Sequence, residues 1–231
     1  MVNAPSMSKA RRFFVRAPFL GIALLLAFAW AVKAAPRIVT IDDFEAGLSS
    51  AWKAERFKGE TRYEVVADGA GKVLRATADK SASGLVRKIE FDPKECRYLI
   101  WRWKVDKTVK GSDPTTKSGD DYAARVYVVF PSWIPLSTKS LNYIWATAYP
   151  KEGHLPNPYF QGAMMLAVES GDEKVGKWVE ERRDIAADFT LLFGGQPPKA
   201  GAVAVMTDTD QTGEKAVAYY DDFRLECGSL P

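Results

Sequence analysis

YLIWRWKV (residues 98–105) and YAARVYVVF (residues 122–130) are the two stretches that decide the fold. In the first, Leu99, Trp101, Trp103 and Val105 alternate with Ile100, Arg102 and Lys104. In the second, Ala124, Val126, Val128 and Phe130 alternate with Ala123, Arg125, Tyr127 and Val129. A repeat of two is the period of an extended strand, so each stretch presents one apolar face to a core and one face carrying charge or phenol. Outward from these, strands are expected at 37–44, 61–67, 72–79, 84–91, 98–106, 122–130, 141–148, 163–170, 176–183, 201–208 and 216–226. Between them lie turn-forming strings such as DGAGK, GSDPTTKSGDD, KEGHLPNP and ESGDEK. Short strands at this spacing predict an all-β antiparallel sandwich of jelly-roll type. One short helix is expected near 185–193, with Asp184 as its N-cap and Gly194 and Gly195 ending it. The wet faces make Arg125 and Tyr127, joined by Arg102 and Lys104, candidates for a shared recognition surface.

The chain has 231 residues, 47% of them apolar and 12% aromatic. That is enough for one substantial core and excludes disordered and disulfide-dense classes. The formal charge of +3 is concentrated at the start, where residues 1–34 carry Lys9, Arg11, Arg12, Arg16 and Lys33 and no acid. The remainder holds 27 basic against 29 acidic side chains, which argues against a nucleic-acid partner. Basic residues, an uncharged stretch from Ala17 to Val32 and small residues at Ala34 and Ala35 follow one another as in a secretory signal peptide. The expectation is cleavage after Ala34, leaving a single domain over 35–231 in the periplasm or outside the cell, with the membrane met only before cleavage. Cys96 and Cys227 each lie at a strand end, and the reading leaves two alternatives, a long-range disulfide or two buried thiols. With one histidine, His154, and two cysteines, His-rich and four-thiolate metal sites are excluded.

Several side chains could carry chemistry. Asp120 and Asp121 precede Arg125, and a four-residue offset along a strand puts Asp121 and Arg125 on one face. That pair either holds a polar ligand or neutralises an inward arginine. MTDTDQTGEKA gathers Asp208, Asp210, Thr212 and Gly213 in one loop, either an Asp- and Gly-rich turn or a set of oxygen ligands for calcium. Position twelve counted from Asp208 is Tyr219, so the loop is no EF-hand. The termini offer a second carboxylate group, with Asp42, Asp43 and Glu45 in TIDDFEAG and Asp221, Asp222 and Glu226 in YYDDFRLE. If the end strands are neighbours these would repel unless a cation or Arg224 sat between them, and the alternative is solvated edge-strand charge. Trp133, Tyr143, Trp145, Tyr149, Tyr159 and Phe160 cluster mid-chain. Most are expected in the core, Trp133 and Tyr159 to be exposed, and Trp145 is taken as a ligand-stacking candidate. There is no nucleophile elbow, phosphate loop or dinucleotide fingerprint.

The strings WRWKV, GDDYAARVYVVF, LNYIWA, ERRDIAADFTLLFG and VMTDTDQTGEKAVAYYDDF resemble a bacterial family of exported proteins defined by a domain of unknown function. That resemblance implies that Asp120, Asp121, Arg125, Asp208 and Asp210 belong to a family pattern. IDDFEAG and YYDDFRLE are more loosely similar to carbohydrate-binding β-sandwich modules of the galactose-binding type, in some of which a calcium links the terminal strands, and that resemblance implies Asp43, Glu45 and Asp222 as the calcium ligands here. The expected function is therefore a non-catalytic exported sandwich that binds a glycan or cell-envelope polymer. The alternatives are a polysaccharide hydrolase or lyase using Asp121 or Asp208 with Arg125, and a structural envelope protein with a protein partner.

Overall fold

The computed structural model describes residues 1–2 and 35–228. The signal-peptide reading falls almost wholly on 3–34, outside the described residues. Among those described, no helix is long and apolar enough to cross a membrane. Among the described residues the chain forms thirteen strands and one α-helix. In order they are β1 (Arg37–Asp42), β2 (Trp52–Lys58), β3 (Arg62–Asp68), β4 (Gly71–Asp79), β5 (Ala82–Phe91), β6 (Tyr98–Val105) and β7 (Arg125–Phe130). Then come β8 (Lys139–Ala146), β9 (His154–Pro156), β10 (Ala163–Ser170), β11 (Val179–Asp184), α1 (Ile185–Phe193), β12 (Ala200–Asp208) and β13 (Lys215–Cys227).

Two sheets face each other. One has the order β11-β6-β13-β4-β3, with β1 also on β13, and the other the order β2-β5-β12-β7-β8-β10-β9. β13 is long enough to hold β4 along its first half and β1 along its second. The terminal strands are therefore neighbours. A bulge interrupts β13 between Asp221 and Arg224, where Asp222 takes φ 53°. One pair departs from the expected antiparallel pattern, because β8 and β10 run parallel. The 16-residue connection 147–162 allows this, returning the chain to the start of β8 and placing the three-residue β9 on the outer edge of β10.

The alternation in β6 and β8 builds the core. Trp101 stacks on Tyr143 across the two sheets with ring centroids 5.2 Å apart, and Trp103 packs on Trp145 at 5.7 Å. Aromatic pairs of this kind contribute about 0.5–1.5 kcal/mol each beyond their buried area. Phe44, Trp52 and Phe223 form a further aromatic cluster, and Asp42 accepts the Trp52 indole N–H at 2.8 Å. Phe189 of α1 packs against Phe130 and Phe193. As expected, Asp184 caps α1 by accepting from the Ala187 N–H, and Gly194 ends it. Cys96 and Cys227 form a disulfide across 131 residues, which resolves the choice left open by the sequence.

Candidate functional site

The seven-stranded sheet carries a cleft on the face turned away from the core. Alternation determines which side chains reach it. Val126 and Val128 of β7, Leu141 and Tyr143 of β8 and Val203 and Val205 of β12 point inward, so Arg125, Tyr127, Asn142, Met206 and Asp208 point the other way. Asn157 and Tyr159 from the β9–β10 connection and Asp210 and Gln211 from the β12–β13 turn close its sides, and Phe57 of β2 stands at the edge. The cleft encloses about 510 Å³.

Arg125 is the structural centre. Its side chain is buried, its Nε donates to Asp208 Oδ1 at 2.9 Å, and its Nη2 donates to Asp208 Oδ2 and to the Asp120 carbonyl. Nη1 approaches Asp120 Oδ1 at 3.4 Å. Asp120 in turn accepts from Asn157 Nδ2 at 2.8 Å, and the Tyr122 ring lies 4.3 Å from the guanidinium carbon. Burial opposes the guanidinium charge, but Asp208 and Asp120 outweigh it and hold Arg125 protonated well above its ordinary range. Burial likewise pushes Asp208 upward while Arg125 pulls it down. Burial raises the Tyr127 phenol to about 12, so it stays protonated.

Asp121 does not pair with Arg125. The chain from Asp121 to Ala124 is not yet a strand, so the same-face argument fails there. Fully buried, Asp121 instead accepts the Gln211 N–H at 3.0 Å and the Thr212 N–H at 2.6 Å, pinning the β12–β13 turn. Gly213, at φ +72°, turns that loop back so that its N–H reaches the Thr209 carbonyl. Asp121, Asp208 and Asp210 each offer an oxygen within 4.8 Å of the others and are the group of this kind among the described residues. A hard dication fits poorly there, because Asp208 gives both oxygens to Arg125 and the Tyr122 N–H, and Asp121 gives its own to the turn amides.

The terminal carboxylates stay apart from this cleft and from one another. Asp43 accepts from the Glu45 N–H, Glu45 accepts from the Lys72 N–H at 2.8 Å, and Asp222 pairs with Arg102 at 3.0 Å. Although β1 and β13 are neighbours, Asp43, Glu45 and Asp222 are not among the described carboxylates whose oxygens gather within 4.8 Å of one another. Trp145 is not a ligand-stacking residue. It has the inward parity of β8, is fully buried against Trp103 and donates its indole N–H to the Gly171 carbonyl, so no ligand can stack on it. Arg102 and Lys104 belong to β6 in the other sheet and cannot share a surface with Arg125. There they flank the Trp178 ring, at 4.8 and 4.9 Å. Trp133 and Tyr159 are exposed as expected, but Trp133 lies outside the cleft.

Residues 50–224 match a family described as a protein of unknown function, DUF3047. The chain belongs to that family. Comparison with curated proteins gives no match. Among solved structures, this DUF3047 chain is similar to the family 11 carbohydrate-binding module of a cellulosomal cellulase of Clostridium thermocellum. Identity is 12%, 86% of this chain and 98% of that one are covered, and the TM-score is 0.46. A family 30 carbohydrate-binding module from the same organism gives 8% identity, coverage of 82% and 96%, and a TM-score of 0.44. The adhesin domain of Lys-gingipain from Porphyromonas gingivalis gives 13%, 83% and 99%, and 0.41.

Sequence reasoning missed two residues of the DUF3047 cleft floor, Asn142 and Asn157. Both are buried amides among apolar neighbours, and Asn142 is the one polar residue in LNYIWA, a signal that strand parity would have directed outward. Phe57 lies on β2, a charged stretch outside the expected strands.

Proposed function

We propose that this protein is exported and uses the cleft of the seven-stranded sheet to bind a glycan without transforming it. The observation that carries the reading is the combination found there. A floor of buried carboxylates and amides is held rigid by Arg125, and exposed aromatic rings, Phe57 and Tyr159, stand at its margin. Sugar rings offer apolar C–H faces to such rings and hydroxyls to such a floor. Export rests on the order of basic, apolar and small residues through Ala35. Against catalysis, Asp121 and Asp208 spend their lone pairs on internal donors, and Arg125 is already neutralised and has no charge to lend an anionic substrate. The test is a screen of envelope and plant polysaccharides with the wild type and with Phe57→Ala and Tyr159→Ala. Binding weakened about 2- to 13-fold by each substitution, the equivalent of about 0.5–1.5 kcal/mol of aromatic contact, supports the reading. Release of reducing ends from a bound polymer would replace it with the hydrolase.

A further inference from the structure

The loop joining β7 to β8, PSWIPLST (residues 131–138), takes no part in the cleft and carries no charged side chain. It presents three large apolar side chains to solvent. Trp133 is fully exposed, Leu136 is 82% exposed and Ile134 63%. The loop is braced from within. The Ser137 and Thr138 N–H groups donate to the Ile134 and Pro135 carbonyls at 2.8 and 3.1 Å, closing one turn of 3-10 helix. Ser132 Oγ accepts the Ile134 N–H at 3.3 Å and Thr138 Oγ1 accepts the Ser132 N–H at 3.4 Å, so two of its three hydroxyls serve its own backbone. At the base, the Pro131 ring lies 2.8 Å from where a Cβ on Gly201 would stand. Apolar side chains held together in water in this way mark an interaction surface.

The place of the loop in the fold says what covers it. Phe130 pairs with Lys139 at its base, β12 begins beside β7, and Phe91 at the end of β5 lies opposite Ala200. From Phe91 the chain turns to Cys96, bonded to Cys227, which pairs with Arg37 at the start of β1. The loop and the point where the chain enters the sandwich are therefore at one end. Ahead of that point the sequence has the uncharged stretch Ala17–Val32, the segment expected to meet the membrane during export. Among the described residues from Ala35 on, eight large apolar side chains are exposed, and five of them, Ile38, Trp133, Ile134, Leu136 and Leu191, belong to this end. Leu191 is placed there by α1, whose Phe189 packs on Phe130.

We propose that the 131–138 loop seats the exported protein on a lipid bilayer. A tryptophan with aliphatic neighbours and no charge suits the boundary between headgroups and acyl chains, and three such side chains give reversible attachment. Glycan recognition needs polar groups fixed beside the stacked ring, and this loop has no carboxylate, amide or charged side chain to supply them. A stable protein partner needs about 800 Å² per side, more than a tip of three side chains offers. Seated by this end, the sandwich holds Arg125 and Asp208 away from the bilayer, since they stand at the opposite ends of β7 and β12. The proposal is independent of what the cleft binds.

The experiment is flotation of the full mature chain, beginning at Ala35, with vesicles of phosphatidylethanolamine and phosphatidylglycerol and with vesicles of phosphatidylcholine alone. The expected result is binding to both that survives salt sufficient to screen adsorption through lysines. Trp133→Ser combined with Leu136→Ser should lower the partitioning at least about tenfold, and Trp133→Phe should keep most of it. Quenching of the wild-type tryptophan emission by lipids brominated along the acyl chain is also expected, and that readout needs no variant. Absence of flotation, flotation abolished by salt, or flotation unchanged in the double variant overturns the proposal. Self-association that is lost in the double variant, with no lipid binding by the wild type, would assign the loop to a second copy of the chain instead.

Discussion

Arg125→Met is the substitution whose outcome the structure specifies most closely. It removes a buried guanidinium that donates to both oxygens of Asp208 and contacts Asp120, while leaving both carboxylates buried. Breaking a buried pair from one side costs about 3–5 kcal/mol, because the partner's charge is left uncompensated. For a domain of this size each kcal/mol lowers the transition temperature by about 2–4 °C, so a drop of about 6–20 °C is expected. The sign of the pH dependence follows. Burial already raises Asp208, and losing Arg125 removes the group that pulled it down. The deficit is therefore full near neutrality and shrinks as pH falls toward the ordinary carboxylate range, where the group is protonated both folded and unfolded. Adding Asp208→Leu to Arg125→Met removes the stranded charge and should recover at least half of the loss, the remainder reflecting Asp120 and the Tyr122 N–H, which loses its acceptor. Urea denaturation at several pH values reads all of this. A single-variant loss below about 1 kcal/mol, or a double variant less stable than the single, would refute the argument.

Other outcomes follow from the same structure. Reducing the Cys96–Cys227 bond frees a loop of 131 residues and should lower stability by up to about 5 kcal/mol on the loop-entropy argument, seen as a lower urea midpoint in reductant. Glu181 is held up at about 7 by burial, with Glu169 adding to the effect. Its folded form keeps a proton that the unfolded chain has released, so stability falls between about pH 4.5 and 7 and Glu181→Gln should flatten that part of the pH–stability curve. Tyr220→Phe removes the hydroxyl that joins Thr207 and the Met206 carbonyl beneath the cleft, and a loss of about 1–3 kcal/mol on chemical denaturation is expected. N-terminal sequencing of protein recovered from the cell envelope should begin at Ala35 if the leader reading is right; an intact Met1 would contradict it.

The sandwich was legible because its central strands alternate strictly. LIWRWKV and RVYVVF separate inward from outward residues with no ambiguity, and both lie where the period places them. β2 was not legible, since WKAERFK has one buried residue and six exposed ones and carries four charges, as suits an edge strand. Nor was the parallel β8–β10 pair, because register between distant strands depends on where a long connection runs and not on either strand's own pattern. In the site, spacing brought Asp120, Arg125, Tyr127, Asp208 and Asp210 into view but misassigned the partner of Arg125. Local parity cannot anticipate that Asp121 would be drawn to the amides of Gln211 and Thr212, some ninety residues away. Trp145 misled for a related reason, as its chemistry suits stacking but its parity is inward.

The most direct test of the central claim is to record backbone amide shifts of the labelled protein with and without a bound oligosaccharide. Recognition by the seven-stranded sheet predicts perturbations concentrated at Asn142, Arg125, Tyr159 and the turn through Gln211. Perturbations centred instead on Trp178, Tyr219 and Lys104 of the opposite sheet would contradict it.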